Sequence, residues 1–486
     1  MRKVIEVETG KLVGETSADA TSFKGIPYAR PPLGEYRWRA PQPCAAWSGQ
    51  LDATRFGPAC HQMAVPKRLV IGPDLGPQSE DCLYLNIWAP AHGDGKSPVM
   101  VWIHGGGFVW GSASDPFYDG AAFARRGIVL VSINYRLARF GFFAHPAILT
   151  TSPDGQIANF GLLDQIAALK WVRRNIHAFG GDPSNVTIFG ESAGGAFVNL
   201  LMTAPVAAGL FEKAISMSGF ARSPLRRVGG DGQGTAQAAS QRFAVAQGIE
   251  GADDEAAASL RALPAAQIVS SFGGLSDPDR PGVCIDGITV RESPFSAFAA
   301  GRQMKVPYIA GGTDWEAIIL PEVRARPDEL LKLFESDRSK VARAYGNISS
   351  SDADVAERLA TDVRVTEPNR ALARFHARTG EAVFLYYFSY VPPSLRGSVP
   401  GAAHASELPY LFNTLPGPSE EDRHLSDAMI SYWTSFAKES RPGIANGVHW
   451  PEFLPSETVM EFGGAEAFAH ERFLVDRLDL IESVEP

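Results

Sequence analysis

Short apolar runs alternate along the chain with segments whose apolar residues recur every three or four positions. Pro98–Ile103 (PVMVWI), Gly127–Tyr135 (GIVLVSINY), Val186–Gly190 (VTIFG), Ala214–Met217, Val306–Ala310 and Val383–Ser389 (VFLYYFS) are rich in β-branched and aromatic residues and predict buried strands. Between them, Leu162, Ile166, Leu169, Val172 and Ile176 fall on one stripe and predict a helix over about Gly161–His177. Leu425, Met429, Tyr432, Trp433 and Phe436 mark another amphipathic helix near the C-terminal end. This alternation predicts an α/β fold, with a mostly parallel central sheet flanked by helices. Gly229–Gly234 and Ser276–Gly282 are turn-rich and read as loops. The segments Asp328–Tyr345 and Asp352–Arg378 are helix-like and charged, and a strand pattern resumes at Val383. The expectation is one domain over residues 1–486 with a helical subdomain inserted at about 317–380.

Composition narrows the function. With 45% hydrophobic and 20% charged residues the usage is ordinary for a globular chain. Lys and Arg number 45 against 54 Asp and Glu, a net charge of −9 with no basic block, so nucleic-acid binding has no electrostatic footprint. No stretch of about 18 apolar residues predicts a membrane span. The start MRKVIEVETGKLVGE alternates charged and apolar residues where an export signal would be continuously apolar, so the expected location is cytoplasmic unless a leader has been removed. Four cysteines, none in a C-x-x-C pair, exclude a disulfide scaffold and give no zinc or redox motif.

The chemistry begins at Gly190-Glu191-Ser192-Ala193-Gly194, a G-x-S-x-G pentapeptide that follows a strand pattern and opens a helical one. That context turns a common glycine-rich sequence into a nucleophile elbow, a tight strand-to-helix turn expected to expose Ser192 Oγ. The plainer alternative is a helix-capping serine. Upstream, His104-Gly105-Gly106-Gly107-Phe108 ends a strand in three glycines, whose backbone N–H groups can converge on one oxygen. Gly106 and Gly107, with Ala193, are therefore the candidate oxyanion hole. His104 reads as a histidine packed in the loop rather than the general base.

In a hydrolase of this order the base follows the serine, with its acid partner between them. His404 lies in a loop after the strand Val383–Ser389, where strand ends present catalytic groups. The strand Val306–Ala310 runs into Gly311-Gly-Thr-Asp314-Trp-Glu316, which offers two carboxylates, and composition does not choose between them.

Seven ordered blocks spanning nearly the whole chain resemble the type-B carboxylesterases, the group that includes para-nitrobenzyl esterases, mammalian carboxylesterases and cholinesterases. They are Phe23-Lys-Gly-Ile-Pro-Tyr-Ala-Arg-Pro-Pro-Leu-Gly, Glu80-Asp-Cys-Leu-Tyr-Leu-Asn, His104-Gly-Gly-Gly-Phe, Asn134-Tyr-Arg, Phe179-Gly-Gly-Asp-Pro, Phe189-Gly-Glu-Ser-Ala-Gly-Gly and Tyr432-Trp-Thr-Ser-Phe-Ala. The resemblance implies an α/β-hydrolase fold. It places the family's acid on Glu316 rather than Asp314, and its histidine on His404. By the same resemblance Glu191 is the buried glutamate beside the nucleophile, and Ser218 is a second serine bonded near the histidine and acid. Cys60 and Cys82 resemble a pair that closes an N-terminal disulfide loop, a bond whose oxidation depends on the compartment.

The departures carry information too. His61–Asp81 contains no Phe, Tyr or Trp to face a choline cation. Ala138 and Ala317 stand where the family has glycine, and Thr313 where it has asparagine. The resulting expectation is a serine carboxylesterase acting on small-molecule esters of short to medium acyl chains. It needs no cofactor or metal, engages neither nucleic acid nor membrane, and is a monomer or dimer. Two rival readings are an amide or carbamate hydrolase with the same residues and a non-catalytic, neuroligin-like interaction protein. The second is disfavoured because Ser192, Glu316 and His404 are all present.

Overall fold

The computed structural model describes the whole chain apart from residues 64–74, 93–94, 152, 154, 231, 233, 270–276, 278, 321–329, 333, 335–337, 347–351 and 485–486. Parts of the loop expected at 276–282, of the helical segment at 328–345 and of the aromatic-free stretch 61–81 lie outside the described residues. The chain divides into two compact units that interleave in sequence. One comprises Met1–Glu212 with Pro224–Ser293, the other Lys213–Ser223 with Pro294–Pro486. Each crossover falls within an element or a short loop rather than in a linker, which is why no composition shift announces it.

The main strands of the first unit are β1 (Arg2–Val7), β2 (Gly10–Thr16), β3 (Ala20–Pro27), β4 (Tyr84–Pro90), β5 (Ser97–Ile103), β6 (Val129–Ile133) and β7 (Gly181–Glu191). They lie in the order β1-β2-β3-β4-β6-β5-β7. β5 pairs in parallel with both β6 and β7, whereas β1 to β4 run antiparallel and β4 meets β6 antiparallel. Val99 to Ile103 are wholly buried, which explains the unbroken apolar run: a parallel strand covered on both faces has no polar side. The charged and apolar alternation over residues 1–15 belongs to the β1–β2 hairpin, with Arg2 opposite Glu15 and Val7 opposite Gly10. Helix α1 (Phe160–Asn175) buries Leu162, Ile166, Leu169 and Val172 as its periodicity predicts, and α2 (Ala193–Thr203) follows β7 directly.

In the second unit β8 (Lys213–Met217), β9 (Tyr308–Thr313), β10 (Val383–Phe388), β11 (Val459–Phe462) and β12 (Ala467–His470) lie in that order. The first four are parallel and β12 turns back antiparallel. The helical insertion begins with a 3₁₀ turn at Glu316–Ile319 and continues through α3 (Arg338–Ala344) and α4 (Asp352–Thr361). A π turn at Asp362–Thr366 then leads into α5 (Glu367–Ala377). Helix α6 (Glu420–Glu439) starts at a reciprocal Ser419–Asp422 capping box and buries Leu425, Met429, Tyr432, Trp433 and Phe436. No described helix is long and apolar enough to cross a membrane.

Candidate active site

Ser192 sits on the turn between β7 and α2 with φ 58° and ψ −121°, a backbone conformation that costs a non-glycine residue about 1–3 kcal/mol. Its neighbours explain how the turn can be so tight. A Cβ on Gly190 would stand 2.6 Å from the Gly194 backbone, and one on Gly194 would overlap the Ile103 carbonyl oxygen at the end of β5. The strand end, the helix start and the adjacent strand thus close on each other only because both positions are glycine. Ser192 makes no side-chain cap bond to α2, so the capping alternative does not describe it. Its side chain is also less open than expected, because the residue is 9% exposed.

The glycine loop abuts this elbow. A Cβ on Gly105 would lie 2.8 Å from the Glu191 carbonyl oxygen and 3.1 Å from Ser192 Cβ. Gly106 and Gly107 take φ 107° and 61°, and the Gly106 carbonyl accepts the N–H groups of Val109 at 3.1 Å and Trp110 at 3.0 Å, which curls the loop. Ala193 opens α2, where unsatisfied amides and the helix dipole favour negative charge. Glu191 is buried, with Oε2 2.9 Å from the position a Gly105 Cβ would occupy. His104 is buried and stacked on Tyr135 at 4.4 Å, its Nδ1 is 2.8 Å from the Gly105 oxygen, and burial pushes its imidazole down to about 4. It is a neutral packing histidine at ordinary pH.

In the second unit Glu316 follows β9 and is completely buried. One carboxylate oxygen closely engages His404 Nδ1. The other accepts Ser218 Oγ–H at 2.6 Å and the Thr313 N–H at 2.9 Å. Burial alone would raise this carboxyl, but the facing imidazole and these donors outweigh it and hold the group below its usual range. A carboxylate at Nδ1 makes that nitrogen the donor and makes Nε2 the basic nitrogen. Phe220 lies beside the imidazole, with ring centres 5.7 Å apart. Of the two carboxylates left open by composition, Glu316 touches His404 and Asp314 does not. Asp314 Oδ1 instead accepts the Ala402 N–H at 2.5 Å.

Ser218 therefore reaches the acid through its hydroxyl, from a left-handed residue (φ 50°) at the end of β8. Cys60 and Cys82 are buried free thiols in contact with each other, so the bond implied by resemblance is not formed here. Ala138 takes φ 49°, a left-handed conformation that glycine would adopt without strain. Thr361 is a contact the sequence reading lacks: its Oγ1 accepts the Glu316 N–H at 3.1 Å. Lying 45 positions away on a charged helix, it carries no local signal.

A model of the carboxylesterase family matches residues 1–345 and 340–471. The chain belongs to the carboxylesterase family. It is 37% identical over 492 residues to a fumonisin B1 esterase of Sphingopyxis macrogoltabida, covering 95% of this chain and 86% of the relative. It is 35% identical to the para-nitrobenzyl esterase of Bacillus subtilis (strain 168), covering 93% and 92%. Among solved structures, a carboxylesterase of Geobacillus stearothermophilus superposes with a TM-score of 0.84 at 33% identity, covering 99% of this chain and all of that one. A PNB esterase gives 0.81 at 32%, with the same coverage. The fold is thus the α/β-hydrolase fold, and this carboxylesterase is a carboxylic ester hydrolase acting on small-molecule esters.

Proposed function

We propose that this carboxylesterase works through an acyl-serine intermediate. Ser192 Oγ attacks the ester carbonyl while His404 Nε2 takes its proton, and the imidazolium then protonates the departing alkoxide. Glu316 holds the imidazole in the required tautomer and balances its charge. The Gly106, Gly107 and Ala193 N–H groups receive the oxyanion. Water, deprotonated by His404, then releases the acid and restores Ser192. The observation that carries this reading is the buried Glu316–His404 hydrogen bond at Nδ1, which directs the basic nitrogen away from the acid.

The preferred substrates are short to medium acyl esters of uncharged alcohols. A hydrolase pocket gains about 0.8 kcal/mol per further buried CH₂ until it is full. The segment His61–Asp81 offers no aromatic face to a quaternary ammonium. The relative named for para-nitrobenzyl esters points to the same class of uncharged alcohol. Mapping of a diisopropyl fluorophosphate adduct tests the nucleophile: it should fall on Ser192 and vanish in Ser192→Ala, and an adduct elsewhere overturns the assignment. A series of p-nitrophenyl esters, with fumonisin B1 and butyrylcholine alongside, tests the substrate class. A tenfold preference for the choline ester over a neutral ester of equal acyl length, about 1.4 kcal/mol, would overturn it.

A further inference from the structure

The second unit contains a set of polar contacts that the chemistry above leaves unused. Helix α4, in the insertion, turns Glu357, Arg358 and Thr361 toward the segment that carries the acid. Thr361 receives the Glu316 N–H, and Glu357 Oε2 accepts Trp315 Nε1–H at 3.1 Å. Arg358 does more. Its Nη1 donates to the Asp314 carbonyl at 2.9 Å and to Asp314 Oδ2 at 3.0 Å, while Nη2 donates to the Pro400 carbonyl at 2.6 Å. One guanidinium therefore ties the loop after β9 to the connection after β10, four residues before His404.

Asp314 extends that tie toward the histidine. Its second oxygen accepts the Ala402 N–H, and the Trp315 N–H donates back to the Ala402 carbonyl at 3.0 Å. Gly401 completes the fit, since a Cβ there would overlap the Asp314 carboxylate. The ion pair is mostly shielded, with 21% of the Arg358 side chain and 13% of that of Asp314 exposed. A charge-assisted fork in such a setting is stronger and more directional than an exposed pair. The need for it is clear from the topology. His404 lies well beyond the end of β10 at Phe388, on a long connection, yet a general base must be held to within about 0.5 Å to work.

We propose that Arg358, acting through Asp314, is a positioning residue that sets the backbone of the His404 loop against Glu316. This inference rests on the proposed role of His404 as general base. It assigns helix α4 a part in catalysis, although that helix supplies no reacting group in the mechanism above.

The test compares Arg358→Met, Arg358→Lys and Asp314→Asn with the parent enzyme. Active serine is titrated with diisopropyl fluorophosphate, and kcat per titrated site, KM for p-nitrophenyl butyrate and Tm are measured. Arg358→Met should lose about tenfold to hundredfold in kcat per site, the scale of a misplacement of about 1 Å, with KM within about twofold. Arg358→Lys keeps the charge but not the fork and should fall between Arg358→Met and the parent. Asp314→Asn keeps an acceptor for Ala402 and should lose less than about tenfold. Ethylguanidinium added to Arg358→Met should restore part of kcat. An unchanged kcat per titrated site in Arg358→Met overturns the proposal, as does a loss confined to the number of titrated sites or abolished by assay far below Tm. His404→Gln is the control for the underlying reading. If it stays active, the assignment of the base fails; if it is inactive while Arg358→Met is unimpaired, only the positioning role fails.

Discussion

The Ser192 turn of the first unit and the Glu316–His404 pair of the second are built by opposite means. The Ser192 elbow is made of backbone: a strained φ, two glycines without room for a methyl group, and a glycine loop curled against them. The Glu316–His404 pair is made of side chains and loop amides drawn from Ser218, Thr313, Thr361 and Asp314, residues dispersed over much of the second unit. An element made by sterics should fail through stability when one atom is added. An element made by hydrogen bonds should fail through rate, with the fold intact.

The largest effect is therefore expected at Glu316. Glu316→Gln removes the charge opposite the imidazole and can present an amide N–H to Nδ1, favouring the wrong tautomer. A loss of up to about 10⁴ in kcat follows by comparison with acid-to-amide changes in serine proteases. Asp314→Asn touches the loop and not the imidazole, so its cost is smaller by orders of magnitude. Steady-state kinetics on p-nitrophenyl butyrate decides the matter, and if the two variants exchange these outcomes, Asp314 is the acid.

Next in size is the response to pH. With a histidine as base, kcat/KM should fall as pH drops into mild acid and the imidazole gains a proton. Glu316 has the opposite sign. Its carboxyl is held below the ordinary value, so it contributes stability above its unfolded pKa that is lost as pH falls through the lower folded value. Across the acid limb the pair should remain intact, and enzyme held at pH 5 should recover full activity at pH 8. A limb that appears only near pH 4 would point to His104, whose imidazole burial pushes down to about 4.

These contrasts account for what the sequence disclosed. The elbow and the glycine loop are contiguous motifs because backbone geometry is local: Gly190, Ser192 and Gly194 must be adjacent to make one turn. The buried parallel strands were legible for a similar reason, as full burial leaves a run of apolar residues. Strands β1 and β2 fall outside the predicted strands because their mixture of charged and apolar residues gives no unbroken apolar run. For the acid, composition offered Asp314 and Glu316 equally, and family resemblance selected the one that touches His404. Arg358 and Thr361 had no signal at all. Polar residues on a charged helix read as a solvated face, and only tertiary packing turns them inward.

Within the first unit the comparison can be made on stability. Gly194→Ala places a methyl group against the Ile103 carbonyl oxygen, which is backbone and cannot rotate away. Overpacking of this kind costs about 1–3 kcal/mol. Thermal unfolding should show a lower Tm, and the enzyme that remains folded should also be slower because the elbow has shifted. An unchanged Tm would mean that the turn relaxes and that glycine is not required there.

The smallest effect is expected at Ala138, where strain is present but a methyl group is accommodated. Its φ of 49° places an alanine in the left-handed region, at a cost of roughly 1–2 kcal/mol that Ala138→Gly would relieve. Against that relief stand two losses. The methyl group packs in a small buried cluster with Val109, worth about 0.8 kcal/mol for a carbon of that size. Glycine also gives the unfolded chain more freedom, worth about 0.4–1 kcal/mol. The three contributions nearly cancel, so Tm should stay within about 2–4 °C of the parent, the shift that about 1 kcal/mol produces in a domain of 150–250 residues. The Ala138 N–H donates to the Phe108 carbonyl at 2.8 Å, a backbone bond either residue can make, so the glycine loop and kcat should be unaffected. A rise in Tm beyond that range would show that strain outweighs packing at this position. A marked fall in kcat at unchanged Tm would show instead that the alanine stiffens the loop carrying Gly106 and Gly107.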